Sequence, residues 1–184
     1  MITKNYILMS IITVFLMGFT GCQTQDQNRG SEIKKAVAVL HSISESQAKG
    51  VVTFTRVPSG VKIVADVEGL SPGNHGVYIY EYGDCNALNT KSAGGYFDPG
   101  KMPRGRPESK KLHTRDLKKI VANAKGKAHF EYTDGMLRFR GPHSIIGRAV
   151  VIHAGENDLT YQPTGNAGPR VACGVIGIAK TAKE

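Results

Sequence analysis

Six short apolar stretches, KAVAVLHSI, GVVTFTRV, GVKIVADVEGL, KAHFEYTD, GRAVVIHA and ACGVIGIAK, set the limits on how this chain can fold. Several alternate apolar and polar residues with period two, and Gly, Pro, Asn or Asp bound them. Alternation of that period turns one face of an extended strand toward a core and the other toward water. No stretch carries a long helical period, and no internal repeat is present. The expectation is an antiparallel β-sandwich or barrel.

The N-terminus lies outside that pattern. MITKNYILMSIITVFLMGFTGC has one lysine, an apolar run from Tyr6 to Phe19, and small residues before Cys22. The run is short for a membrane span and has the layout of a secretory leader, residues 1–21. The ending FTGC is similar to a bacterial lipobox, which makes Cys22 the expected lipid-bearing first residue of an exported, envelope-anchored protein. Residues 22–34 are polar and read as a tether, which leaves 35–184 as one folded domain. With Cys22 lipidated, Cys85 and Cys173 remain, and an oxidising compartment makes a bridge between them the natural reading.

One strand-like segment is unusual. HGVYIYEYGDC, residues 75–85, spaces tyrosines at Tyr78, Tyr80 and Tyr82, so an extended strand sends all three rings to one side. Aromatic residues favour strands, and a half-buried face accepts any large amphipathic ring, so the row by itself has a plain structural explanation.

Three strings then occur in order: GNHGVYIYEYGDC, SAGGYFDP, and GRAVVIHA followed by TGNAGPRVACGVIGIAK. Together they resemble the copper-zinc superoxide dismutase family in its bacterial exported form, over about Lys35 to Lys180. The resemblance implies a Greek-key barrel of eight strands with two long loops, one holding zinc and one carrying charged residues that guide the substrate anion. It pairs Cys85 with Cys173 and puts Arg170 at the arginine that lies over the copper. It also implies that Tyr78, Tyr80, Tyr96 and His153 stand at the four copper-ligand positions, where the family has histidines. His75 matches a family histidine that is not a ligand. At the zinc positions stand Arg104, His113 and Asp116, and a guanidinium has no lone pair with which to ligate. Asn157 replaces a family aspartate that links the two metal sites, so the supporting hydrogen bonds have changed along with the ligands.

Dismutation as the family runs it needs a metal cycling between two oxidation states. A neutral phenol is a poor ligand for Cu(I), and one histidine holds copper weakly. The expectation is a dismutase-like protein without copper or zinc and without dismutase activity, its former site plugged by tyrosine rings. The alternatives are a divergent metal-dependent dismutase and a rebuilt site in which phenolates and one imidazole hold ferric iron. Residues 100–119, GKMPRGRPESKKLHTRDLKK, carry eight Lys or Arg against two acidic residues within a chain of net charge +9. They read as a basic loop, either simply solvated or binding an anionic polymer, lipid head groups or another protein. Neither a nucleic-acid-binding signature nor interleaved aromatics accompany them, so no specific nucleic-acid partner is expected. Two functional classes thus stay open, a non-catalytic envelope or interaction protein and an enzyme.

Overall fold

The structure, a computed structural model, describes residues 32–86, 91–99, 116–156 and 167–181, with the backbone alone at 116–118. Residues from Ile33 onward form one compact unit. Among the described residues eight strands build it: β1 (Lys35–Ser42), β2 (Lys49–Val57), β3 (Gly60–Glu68), β4 (Gly73–Tyr80), β5 (Asp116–Ala122), β6 (Ala128–Asp134), β7 (Ala149–His153) and β8 (Arg170–Ile178). All pairings are antiparallel, in the order β5-β4-β7-β8-β1-β2-β3-β6. The two end strands, β5 and β6, approach one another, so the sheet is an almost closed Greek-key barrel. The six apolar stretches become β1, β2, β3, β6, β7 and β8.

Alternation does what the sequence requires of it. On β1, Ala36, Ala38 and Leu40 are buried while Val39 faces out; on β3, Val61, Ile63, Ala65 and Val67 enter the core. These residues, with Phe54, Ile79, Ile120, Ile152 and Ile176, form one apolar cluster inside the barrel. Each large aliphatic side chain removed from water there contributes about 1.5–3 kcal/mol.

β8 is the strand shared by both halves. It pairs with β1 through Ala36↔Ile178 and Ala38↔Ile176, and with β7 through Ala149↔Val175 and Val151↔Cys173. Cys173 on β8 is bridged to Cys85, with 88 residues of sequence separation. Closing a loop of that size restricts the unfolded chain by about 4 to 5 kcal/mol in the chain-entropy picture.

The structure corrects two expectations. Residues 116–119, read from sequence as part of the basic loop, belong to β5, while 100–115 lie outside the described residues. Adjacent Lys118 and Lys119 mask the pattern, yet Ile120 and Ala122 are buried, Lys119 and Val121 are exposed, and β4 supplies the edge that β5 completes. Lys119 pairs with Glu156 at 3.4 Å. The second correction is Tyr82. β4 ends at Tyr80, the chain bends, and Tyr82 is 62% exposed rather than joining a buried row of three rings. A Cβ on Gly94 would lie 2.7 Å from its ring, so Tyr82 rests against that glycine at the surface.

Candidate functional site

β4 is buried on both faces from His75 to Tyr80. Val77 and Ile79 point into the barrel, while Tyr78 and Tyr80 point the other way, into a second cluster with Val151, Ala149, Ala93 and Cys173. What covers them is the segment 91–99. It runs antiparallel past the end of β4: Tyr80 bridges to Tyr96, Phe97 N–H donates to Ile79 O at 2.9 Å, and Glu81 N–H donates to Gly95 O at 2.9 Å. Phe97 anchors the segment in the core, with the Arg148 guanidinium 3.5 Å from its ring centroid. Tyr96 is thereby held over β4.

Two irregularities in the ladders aim the side chains. The β4–β5 register shifts between Gly76 and Tyr78, and the β7–β8 register shifts between Ile152 and His153. Bulges of this kind turn a side chain relative to the sheet. Gly76 is needed beneath Tyr78, because a Cβ there would fall 2.4 Å from the phenol oxygen.

Five of the residues singled out in the sequence meet here. Tyr78 and Tyr96 rings lie 4.9 Å apart, Tyr80 and Tyr96 5.1 Å, and Tyr78 stands edge-on to His153 at 5.4 Å. The Tyr80 hydroxyl donates to His153 Nε2 at 2.9 Å, and His153 Nδ1 donates to Gly168 O at 2.9 Å. This pairing fixes the tautomer, since a carbonyl accepts only from an N–H and the other nitrogen then offers its lone pair to the phenol. Arg170 lies over the Tyr80 ring at 4.2 Å and donates to Gly94 O at 3.3 Å.

The electrostatics follow from burial. Desolvation holds the Tyr80 phenol well above its usual range, with Tyr96 adding to the shift and Arg170 opposing it. Desolvation also pulls His153 down to about 4; the Gly168 carbonyl works the other way, and the Arg170 charge adds to the lowering. At neutral pH the cluster is therefore two uncharged partners sharing one proton bond beneath a cation. These donors do not fit copper. Among the described residues the cluster has one imidazole, its free lone pair already accepts a proton, and its partner phenol resists becoming a phenolate. Among the described residues no group of three or more His, Cys, Asp or Glu side chains is arranged to hold a metal ion.

Asp116 is the first residue of β5, its backbone opposite Tyr78. Arg104, His113, Asn157 and Cys22 lie outside the described residues. Sequence reasoning passed over the part His75 plays. It is fully buried, with Nδ1 2.8 Å from His153 O and Nε2 2.8 Å from Ser71 O, so it ties the start of β4 to the end of β7 directly behind the cluster. The signal available was a histidine directly before the run GVYIY.

Residues 48–176 match the family model described as copper/zinc superoxide dismutase. An extracellular superoxide dismutase [Cu-Zn] of Brugia pahangi is 39% identical over 153 residues, 78% of this chain and 76% of the relative. A superoxide dismutase [Cu-Zn] of Paramecium bursaria Chlorella virus 1 is 40% identical over 165 residues, 85% and 87% of the two chains. Among solved structures, the clock protein EA4 superposes with a TM-score of 0.70 at 37% identity, covering 80% of this chain and 96% of its own.

Proposed function

Since the chain belongs to the copper/zinc superoxide dismutase family, we propose that it is a member that no longer binds copper or zinc, no longer dismutates superoxide, and serves as an exported envelope protein that acts by binding. One observation carries this reading. The His153 lone pair that a copper ion would require already accepts the Tyr80 hydroxyl, inside a packed group of three phenols. Metal entry would have to break that bond, part the rings, and ionise phenols in a site where burial disfavours the charge. The residues that resemble zinc positions include Arg104, which cannot ligate.

The disulfide and the extracellular relative are consistent with export. Lipidation at Cys22 rests on the apolar run and the small residues before it, and Cys22→Ser should move the protein from the membrane fraction to the soluble one. The basic residues between 100 and 115 are the proposed contact for an anionic polymer or acidic protein surface. Retention on heparin should weaken in Lys110→Gln/Lys111→Gln; unchanged retention would remove that contact from the reading.

The deciding experiment is metal analysis of the exported, full-length chain together with a superoxide consumption assay. The expected result is no stoichiometric copper, zinc or iron and no consumption above the protein-free background. Bound copper with activity that a chelator abolishes would overturn the proposal.

A further inference from the structure

A phenol is hard to oxidise by one electron when its proton has nowhere to go, because the product is then a cation in a buried site. A base already hydrogen-bonded to the hydroxyl removes that obstacle. The described fold supplies one: Tyr80 Oη and His153 Nε2 are 2.9 Å apart, and the Gly168 carbonyl holds the imidazole in the tautomer whose lone pair faces the phenol. We propose that the cluster of Tyr78, Tyr80, Tyr96 and His153 is a one-electron sink, in which Tyr80 is oxidised to a neutral phenoxyl radical while its proton passes to His153. This rests on the reading that no metal occupies the cluster.

The step balances with an oxidant of the carbonate-radical class. The oxidant gains one electron and becomes carbonate; the Tyr80 O–H bond breaks; an N–H bond forms at His153 Nε2; the positive charge left behind resides on the imidazolium. Arg170, over the Tyr80 ring, opposes that charge. An oxidised phenol is nevertheless a far stronger acid than an imidazolium, so the proton still transfers. Removing the Arg170 charge should make oxidation easier.

The neighbouring rings supply a route and a shelter. Tyr96 is partly exposed and its ring lies 5.1 Å from that of Tyr80, which gives the electron a short path to an oxidant in solvent. Tyr80 itself is 3% exposed and Tyr78 4%, so a radical on Tyr80 cannot meet a second radical on another molecule. Tyr82, 62% exposed, is the natural comparison within the same chain.

The test uses the full-length chain, with metal content measured, oxidised by flash-generated tris(bipyridyl)ruthenium(III) and followed by transient absorption and electron paramagnetic resonance. The expected result is a phenoxyl signal outliving that of free tyrosine by about a hundredfold, lost in Tyr80→Phe and kept in Tyr82→Phe. Formation should slow by about a hundredfold in His153→Gln, the usual loss when a positioned proton acceptor is removed. Because that variant could fail to fold, the native chain carries a second test: formation should also slow in deuterated solvent. A long-lived radical that survives Tyr80→Phe, or formation indifferent to deuterium, would overturn the proposal. Failure to form a lasting radical in a metal-free chain overturns this proposal alone, whereas stoichiometric metal in the chain overturns the metal-free reading as well.

Discussion

The two faces of β4 exclude water almost equally, yet they are held in place by different forces. Val77 and Ile79, both fully buried, meet the aliphatic interior of the barrel, where contact depends on shape and volume. Tyr78 and Tyr80, at 4% and 3% exposure, meet other rings, an imidazole and a guanidinium, where contact depends on direction and charge. Period-two alternation keeps these two sets apart along one backbone. A lineage can therefore exchange the residues of one face while the other preserves the barrel, and a family fold need not carry the family chemistry with it.

The largest effect expected from this comparison comes from rewriting the outer face alone. By the family resemblance, Tyr78→His/Tyr80→His/Tyr96→His, with His153, should put imidazoles at the four positions expected to hold copper. Isothermal titration should show Cu(II) binding far tighter than in the parent, with zinc not following because Arg104 remains. A folded triple variant that ignores copper would mean that the outer face no longer keeps the family geometry.

The inner face should respond next, through stability. Ile79→Ala should cost about 2–5 kcal/mol in urea unfolding, as for other buried aliphatic truncations. Tyr78→Phe, which keeps the ring, should cost no more than about 1–2 kcal/mol. Equal costs would erase the distinction between the faces.

Acid should then act on the outer face. His153 is pulled down to about 4 in the fold, against about 6.5 in an unfolded chain. The unfolded chain thus takes up this proton first as pH falls, so the stabilising contribution of neutral His153 is complete above pH 6.5 and is lost between about 6.5 and 4. The loss is at most about 3 kcal/mol. In alkali the sign for Tyr80 is reversed in origin and the same in outcome: its raised value means that the unfolded phenol ionises first, and stability falls as pH rises above about 10. Urea midpoints measured across pH would show both slopes, and a flat acid side would place His153 in water.

Tyr80→Phe at neutral pH isolates a single contact of the outer face. It removes one buried hydrogen bond and leaves the His153 lone pair unserved, for about 1–3 kcal/mol. Thermal or urea unfolding that shows no loss would mean that solvent reaches Nε2.

Strand content was largely legible, because the six stretches announce themselves by alternation and by their turn residues. β5 was not, since Lys118 and Lys119 side by side imitate a solvated loop and only the exposed edge of β4 explains why that segment is extended. The Cys85–Cys173 bridge followed from compartment and from family pattern. Convergence of Tyr78, Tyr80, Tyr96, His153 and Arg170 followed from the resemblance; which atom bonds to which did not, for it depends on two register shifts that leave no trace in residue type. Tyr82 shows the limit of spacing as evidence. Its position continues the alternation, but the strand beneath it has ended.

β8, the strand that serves both halves, also sets a schedule. The chain is made from its N-terminus, and β1, β2, β3 and β6 can pair among themselves as they emerge. β4, β5 and β7 can do likewise. The two groups are joined when Arg170–Ile178, the last of these strands in chain order, is made, and Cys173 arrives with it. Barrel closure and oxidation of Cys85 therefore wait on the same segment, and neither can precede the synthesis of β8.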